Sequence, residues 1–542
     1  MGVTIPKSEG VSQSSASLSG HPWRLFAVVL LAVLFATNIY RAVTQSVSHD
    51  EATFFEWMLT GPWSQVLDFE HGNHHVLSDL LCKLTVSVFG VSEISLRIPA
   101  LLGGLLYFYS VFRISTFVFG ESPLLLLSVA LLSLNPFVQD YLACARGYGP
   151  ALGFFFYGIS EYIRYLADRS VRSLHLSGLA LGLSIGSNPV MIFPAGSLIA
   201  AVLMITLAAA FIDAGAHAPT EGKEKKSGRP AKKRRRDPSP EQTSGLTQIF
   251  LHFVLPAIVV AVFFLTLPKR LIDVEAGYTG PASLLAILTD LIRYSFVHSP
   301  TRFPGLAAWF PVETLIWFVT NLVVPFGLVT LIVIAIRITA IWVAKRSFGA
   351  LPLGDRFLLV LAIALPVNIL LIALSRHLLG QPYPELRTAM YWLPLLGLAS
   401  LLILRRLDLG DRIERLSAVP LTVLLTLCVV QFATQFNTRY FAEWAYCAAG
   451  KDMMKIISSE HARTPGRKVT VGATWQLEPV VNFYRVAWNL DWIAPVGREG
   501  PNQLHDYYVL GAGDVSLVDS LRLTPLLRDQ LSGTALAKRS DL

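Results

Sequence analysis

The stretch LFAVVLLAVLFATNIYRAVTQSVSHDEATFFEW, Leu25 to Trp57, decides how this chain is read. Leu25 to Tyr40 is almost unbroken apolar sequence, close to the length of about 20 residues that a membrane-crossing helix needs. His49, Asp50 and Glu51 then stand side by side at its exit. A charge run at a membrane edge is ordinarily a solvated cap. Ionisable groups near a bilayer are also costly and gather around cavities and sites. The rest of the chain has to separate these two readings.

Composition extends the first of these observations to the whole chain. Of 542 residues, 53% are hydrophobic and 15% charged, and the mean hydropathy is +0.52. A soluble chain carries roughly a quarter charged residues, so the expected class is an α-helical polytopic membrane protein. The net charge of +8 does not point to nucleic acid, because the Lys and Arg residues lie between apolar segments, as topology determinants do. The Ser-rich leader has no clear small-residue cleavage site, so the first stretch reads as an uncleaved span. Cys82, Cys144, Cys428 and Cys447 have no metal-ligand spacing and no disulfide framework.

Apolar windows near 25–45, 95–117, 121–139, 150–166, 173–188, 190–211, 248–267, 311–336, 356–374, 388–404 and 417–435 predict about eleven helices. VLSDLLCKLTVSVFG, Val76 to Gly90, is short for a span and contains Asp79 and Lys83, so it reads as an amphipathic interfacial helix. Charge parity supports that reading. With a cytoplasmic N-terminus and a non-spanning Val76–Gly90, RYLADRSVR, the segment with KKRRR, AKRSFGALPLGDR and RRLDLGDRIER all face the cytoplasm, as the positive-inside rule requires.

The expected organisation is a cytoplasmic tail 1–22, a transmembrane module 23–435 and an exoplasmic α/β domain 436–542. The module carries a first exoplasmic loop at 46–94 and a basic cytoplasmic linker at 213–247. The linker reads as a basic, Pro-rich loop in preference to a nuclear localisation signal. Gly178, Gly182 and Gly186 share one helix face, which predicts close helix packing. In the tail, RKVTVGATW and DYYVLGAGD read as strands, AGKDMMKIISSEHA as an amphipathic helix and GAGD as a turn. TWQLEPVVNFYR, with Trp475, Glu478, Asn482, Tyr484 and Arg485, either faces the membrane site or packs its own core.

Sorting polar residues by side puts Asp50, Glu51, Glu70, His71, His74, His75, Asp140, Arg146, Arg376, His377, Glu385 and Arg387 on the exoplasmic face. In the first loop, carboxylates and imidazoles can hold a divalent metal or act as a general base, though their spacing matches no standard zinc motif. NPFVQDYLACARGYG offers Asp140, Arg146 and Tyr148, either as a salt bridge between Asp140 and Arg146 or as a phosphate contact. SRHLLGQPYPELR adds Arg376 and Arg387. Arginine suits phosphate because its fork reaches two oxygens.

The order of these features resembles a known family. One apolar span, then DE at the head of a long loop, then VFGVSEISLRIPALLGG and NPFVQDYLACARGYG is similar to the membrane glycosyltransferases of the GT-C fold. The similarity is to the branch of family 39 containing protein O-mannosyltransferases and the lipid A aminoarabinose transferase. It covers about Trp23 to Leu166 well and the later spans more loosely. The resemblance implies inverting transfer of a sugar from a polyprenyl-phosphate donor to a protein, lipid or glycan acceptor on the exoplasmic side of a bilayer.

It implies that Asp50 is the catalytic carboxylate, acting as base or binding the acceptor and metal, with Glu51 its neighbour in the motif, Glu70 the metal-associated acid, and Arg146 and Arg387 near the lipid phosphate. The residues themselves add Asp140, Tyr148, Arg376 and His71 as candidate substrate and phosphate contacts and His74 as a candidate metal ligand. FEHGN stands where the family has FEKPP, so His71 replaces the phosphate-contacting Lys and both prolines are missing. The competing readings are a transporter, flippase or ligase of lipid-linked glycans, and a noncatalytic scaffold binding a partner through its tail. The lack of any Asn-x-Ser/Thr sequon favours a bacterial cytoplasmic membrane.

Overall fold

The computed structural model describes residues 22–68, 75–213, 240–268, 280–298, 312–463 and 466–540. The KKRRR linker lies outside the described residues, as do Glu70, His71 and His74.

Helices occupy the positions of all eleven apolar windows. Among the described residues, eight are long and apolar enough to cross a membrane: Pro22–Thr44, Glu93–Phe119, Pro189–Ile212, Gly245–Thr266, Ile316–Lys345, Leu353–Leu379, Leu386–Asp408 and Arg412–Gln435. The protein is thus a multi-pass membrane protein. The other windows form Pro123–Ser133, Tyr148–Asp168 and Val171–Ser187. Tyr148–Asp168 buries its Phe, Tyr, Ser and Gly residues against the neighbouring helices. Its moderate hydropathy reflects protein surroundings, where polar groups find partners.

Small residues set how closely these helices approach. A Cβ on Gly103 would lie 2.4 Å from the Pro150 nitrogen, and one on Gly153 would lie 2.4 Å from the Gly103 carbonyl oxygen. The motifs PALLGG and ARGYG therefore interlock across the interface of Glu93–Phe119 and Tyr148–Asp168. The expected contact of Gly178 and its i+4 repeats is also present. Cβ atoms on Gly178 and Gly182 would meet the Phe253 carbonyl at 2.3 Å and the Val260 side chain at 2.7 Å.

Val76–Phe89 is a helix of 14 residues, too short to span. Lys83 Nζ donates to the carbonyls of Leu59 and Gly61, both at 2.6 Å, and Asp79 accepts from the His75 N–H at 2.8 Å. Leu84, Val88 and Phe89 remain exposed, the two-faced pattern of the interfacial reading.

The tail forms a four-stranded sheet in the order β1-β2-β4-β3, with β1 Val471–Ala473, β2 Tyr507–Leu510, β3 Thr524–Arg528 and β4 Ala535–Lys538. The strands β1 and β2 are parallel, joined by a crossover that includes the helix Glu478–Ala487; the β2/β4 and β3/β4 pairs are antiparallel. GAGD is a turn after β2: the Asp514 N–H donates to the Gly511 carbonyl at 2.9 Å, and the Thr474 hydroxyl donates to the Asp514 carboxylate at 2.5 Å. Gly450–His461 is the expected amphipathic helix. The hairpin β3/β4 was not legible in the sequence, because Pro525 interrupts its strand pattern. Proline is tolerated there because β3 is an edge strand.

Candidate active site

Local sequence explains how the first loop presents its acids. Ser48 caps the helix His49–Phe54: its hydroxyl accepts the Glu51 N–H at 3.2 Å, and the Glu51 carboxylate accepts the Ser48 N–H at 2.9 Å. This capping box fixes the turn. Because i and i+1 point about 100° apart on a helix, it sends Asp50 and Glu51 to different places.

Glu51 is fully buried. Arg97 grips it with two nitrogens, Nε to Oε1 at 2.9 Å and Nη2 to Oε2 at 2.7 Å, and the Ala145 N–H donates to Oε1 at 2.6 Å. The same guanidinium donates to the carbonyls of Ala42, Gln45 and Ser46 at 3.1, 3.0 and 2.9 Å. Burial pushes the Glu51 carboxyl up, but the charge and hydrogen bonds of Arg97, with the Ala145 and Ser48 N–H groups, hold it below the ordinary value. Both oxygens are engaged by the protein's own donors, so Glu51 has no surface for a substrate. The catalytic expectation for Glu51 becomes a structural assignment: it ties the first loop to the helix Glu93–Phe119 and to the backbone beside Arg146.

Asp50 faces a different set of groups. Its Oδ2 lies 3.0 Å from Arg387 Nη1 and 3.5 Å from Arg146 Nη2, and its Oδ1 accepts the Trp444 indole N–H at 3.2 Å. Arg387 also pairs with Glu443 at 2.7 Å, and Glu443 accepts the Tyr141 hydroxyl. Burial alone raises the Asp50 carboxyl; Arg146, then Arg387 and His49, and the Trp444 N–H outweigh it and hold it below the usual carboxylate range. Four separate chain segments supply this cluster; the side chains of Asp50, Arg146, Arg387 and Glu443 are partly exposed, while Trp444 and Tyr141 are buried. Leu386, just before Arg387, has φ +43°, a left-handed conformation that costs about 1–3 kcal/mol for such a residue and clusters at functional positions.

Asp140 does not pair with Arg146. It binds Arg41, the His298 Nε2 at 2.9 Å and the Ala442 N–H at 2.8 Å, and is itself buried. The expected salt bridge is absent because Asp140 and Arg146 turn to different clusters, and with its oxygens occupied Asp140 braces the site. Tyr148 is buried, with ring contacts to Tyr141 at 4.9 Å and His75 at 5.5 Å. Arg376 is exposed, its guanidinium over the Tyr383 ring at 5.7 Å, and does not join the Asp50 cluster.

The tail enters the site as well. His49 Nδ1 donates to the Gln476 carbonyl at 2.8 Å, and the Trp475 ring meets the His49 ring edge-on at 5.6 Å. The Tyr484 hydroxyl accepts the Val47 N–H at 3.1 Å and donates to Glu93 at 2.9 Å. Asn482 Nδ2 donates to Glu478 at 2.7 Å and faces Glu56 at 3.3 Å. Burial and the Glu56 charge beside it outweigh Arg498 and the Asn482 hydrogen bond and push the Glu478 carboxyl up to about 7. Both sequence readings of this stretch hold, for different residues: Val480, Val481 and Phe483 pack the core, while His49, Val47 and Glu56 are held by its polar members.

Sequence reasoning missed Arg41, Arg97, His298, Glu443 and Trp444. Arg41 and Arg97 carried a signal: each is a charge at the edge of an apolar window, where charge is expensive unless paired. His298, Glu443 and Trp444 carried none.

Among the described residues no group of three or more His, Cys, Asp or Glu side chains is placed to hold a metal ion. Asp50, the one partly exposed carboxylate of the motif, is surrounded by guanidinium and indole N–H groups, which do not fit a divalent cation. Glu70 and His74, expected as ligands, lie outside the described residues.

Residues 73–216 match the family model of dolichyl-phosphate-mannose-protein mannosyltransferases. The matched segment contains Arg97, both interlocking glycine motifs and Arg146. Among solved structures, the chain is similar to ArnT from Cupriavidus metallidurans in the apo state, at 13% identity over 95% of this chain and 97% of that chain, TM-score 0.40. The same protein bound to undecaprenyl phosphate gives 11% identity, 95% and 98% coverage and TM-score 0.37. The Archaeoglobus fulgidus oligosaccharyltransferase in complex with Zn and sulfate gives 13% identity, 95% and 73% coverage and TM-score 0.42. No curated protein sequence matches the chain.

Proposed function

We propose that this protein is an integral-membrane glycosyltransferase that moves a sugar from a polyprenyl-phosphate donor to a hydroxyl- or amine-bearing acceptor, with inversion. The observation that carries the reading is the convergence of Asp50, Arg146 and Arg387 from three distant segments, together with the mannosyltransferase family match that includes Arg146. We place the site on the exoplasmic face of a bacterial cytoplasmic membrane, with the N-terminus cytoplasmic, on the distribution of basic loops and the absence of sequons. The domains follow the same logic: tail 1–22, transmembrane module 23–435 and exoplasmic domain 436–542.

In this reading the acceptor oxygen or nitrogen attacks the anomeric carbon as the bond from that carbon to the phosphate oxygen breaks. The bonding pair leaves on the phosphate. Arg146 and Arg387 stabilise that developing charge, Asp50 takes the proton that the acceptor loses, and Tyr148 packs the wall beside them. Glu51 and Asp140 position these groups without touching substrate. No step is assigned to a metal ion.

The charged groups gather in loops and helix ends and not in broken helices of repeated halves, which disfavours a transporter. The test is sugar transfer in isolated membranes from a radiolabelled polyprenyl-phosphate sugar. Transfer by wild type and its loss in Asp50→Asn, with insertion intact, is the expected result; undiminished turnover in Asp50→Asn removes the catalytic assignment.

A further inference from the structure

The charges of the Asp50 cluster are unevenly matched. Asp50 Oδ2 faces both guanidinium groups, at 3.0 and 3.5 Å, and Arg387 Nη1 faces both Asp50 and Glu443, at 3.0 and 2.7 Å. Arg146 Nε is buried and, among the described residues, has no hydrogen-bond partner. A buried cationic N–H without an acceptor is a standing cost, and a bound anion removes it. The side chains of Arg146, Asp50 and Arg387 are 12%, 19% and 23% exposed, whereas Glu51 and Arg97 are at 0%. The first three can be reached by a ligand and the last two cannot.

A phosphodiester carries one negative charge on two terminal oxygens, and an arginine fork matches oxygens presented in that way. Asp50 presents the same single negative charge to the same two arginines through its Oδ2, while its Oδ1 faces Trp444. Building on the proposed donor class, we propose that Asp50 and the donor phosphate compete for Arg146 and Arg387. The donor therefore binds before the acceptor, and its arrival frees the Asp50 carboxylate.

Two consequences follow from one exchange. The phosphate that takes the guanidinium groups becomes the better leaving group, because their charge stabilises the electron pair it receives. The carboxylate that loses them becomes the better acceptor of a proton, because the opposite charges that favoured its ionised form have been neutralised. Arg387 keeps Glu443 as a second partner throughout, and Trp444 keeps its N–H on Asp50, so the released side chain stays beside the reacting centre.

The test is equilibrium binding of undecaprenyl phosphate to the full-length protein in nanodiscs, with undecaprenol as the phosphate-free control. Asp50→Asn removes the internal competitor and is expected to bind undecaprenyl phosphate several-fold more tightly than wild type while losing transfer. Arg146→Gln is expected to bind it about tenfold more weakly, the loss of one charge-assisted contact. Glu443→Gln, which relieves Arg387 without touching Asp50, gives a smaller tightening and serves if Asp50→Asn fails to insert. Unchanged or weaker binding by both carboxylate variants overturns the competition, as does equal tightening toward undecaprenol. Failure of wild type to bind undecaprenyl phosphate better than undecaprenol overturns the donor class itself, and the competition with it.

Discussion

Two neighbouring acids, Asp50 and Glu51, sit in two unlike electrostatic environments. Glu51 meets one guanidinium squarely and two backbone N–H groups, in a sealed setting where every donor has its acceptor. Asp50 divides its charge between two guanidinium groups it does not grip, in a setting open to the outside. A satisfied buried pair gives shape; an unsaturated, reachable cluster gives chemistry. Adjacency in sequence says nothing about which is which, since one step along a helix turns the side chain by about 100°.

That contrast can be broken by experiment. Neutralising Asp50 is expected to cost at least about 10²-fold in turnover, the scale of lost acid–base or charge contributions, with no fall in thermal stability; sugar-transfer assays and melting curves on the same preparation check both. Glu51→Gln is expected to do the reverse at first, destabilising the fold by about 3–5 kcal/mol because it leaves the buried Arg97 charge uncompensated. Denaturation in detergent reads that loss, and a Glu51→Gln protein that melts like wild type ends the structural assignment.

A smaller effect is expected where the tail meets the first loop. Tyr484→Phe deletes the hydroxyl shared by Val47 and Glu93 and is expected to cost about 1 kcal/mol, with turnover falling because the Asp50 helix is less firmly held. Smallest of all is a pH effect. Glu478 has its folded value raised to about 7 from 4.5, so the native state binds more protons than the unfolded state between those values. Stability then falls as pH rises from about 4.5 to about 7, and Glu478→Gln flattens that slope in the pH dependence of Tm.

Much of the architecture was legible because it depends on local pattern. Apolar windows each fell on a helix, though they missed Leu284–Phe296, which lies in a stretch read as a loop; the alternation of RKVTVGATW found β1, and glycine spacing found a close helix contact. Asp50 was legible through its place at the exit of the first span. The division of labour around it was not, because it is decided by contacts between distant positions. Arg97 lies 46 residues from Glu51, and His298 lies 158 residues from Asp140. Sorting charges by loop also set aside Arg41 and Arg97, which sit at the ends of helices and supply the bracing. Arg376 was grouped with Arg387 by proximity in sequence, yet it lies at the exposed end of Leu353–Leu379 while Arg387 turns inward after Leu386.

The Trp444 indole reaches Asp50 across 394 residues of chain, and this sets a timetable for biogenesis. The ribosome delivers Asp50 with the first span, and the cluster gains Arg387 and then Glu443 and Trp444 only when the last spans have been threaded into the bilayer. A partly made chain therefore carries Asp50 with Arg146 but without Arg387 and the Trp444 N–H that complete its surroundings. On the proposed function, the site is complete only at the end of synthesis, together with the domain that holds the first loop in place.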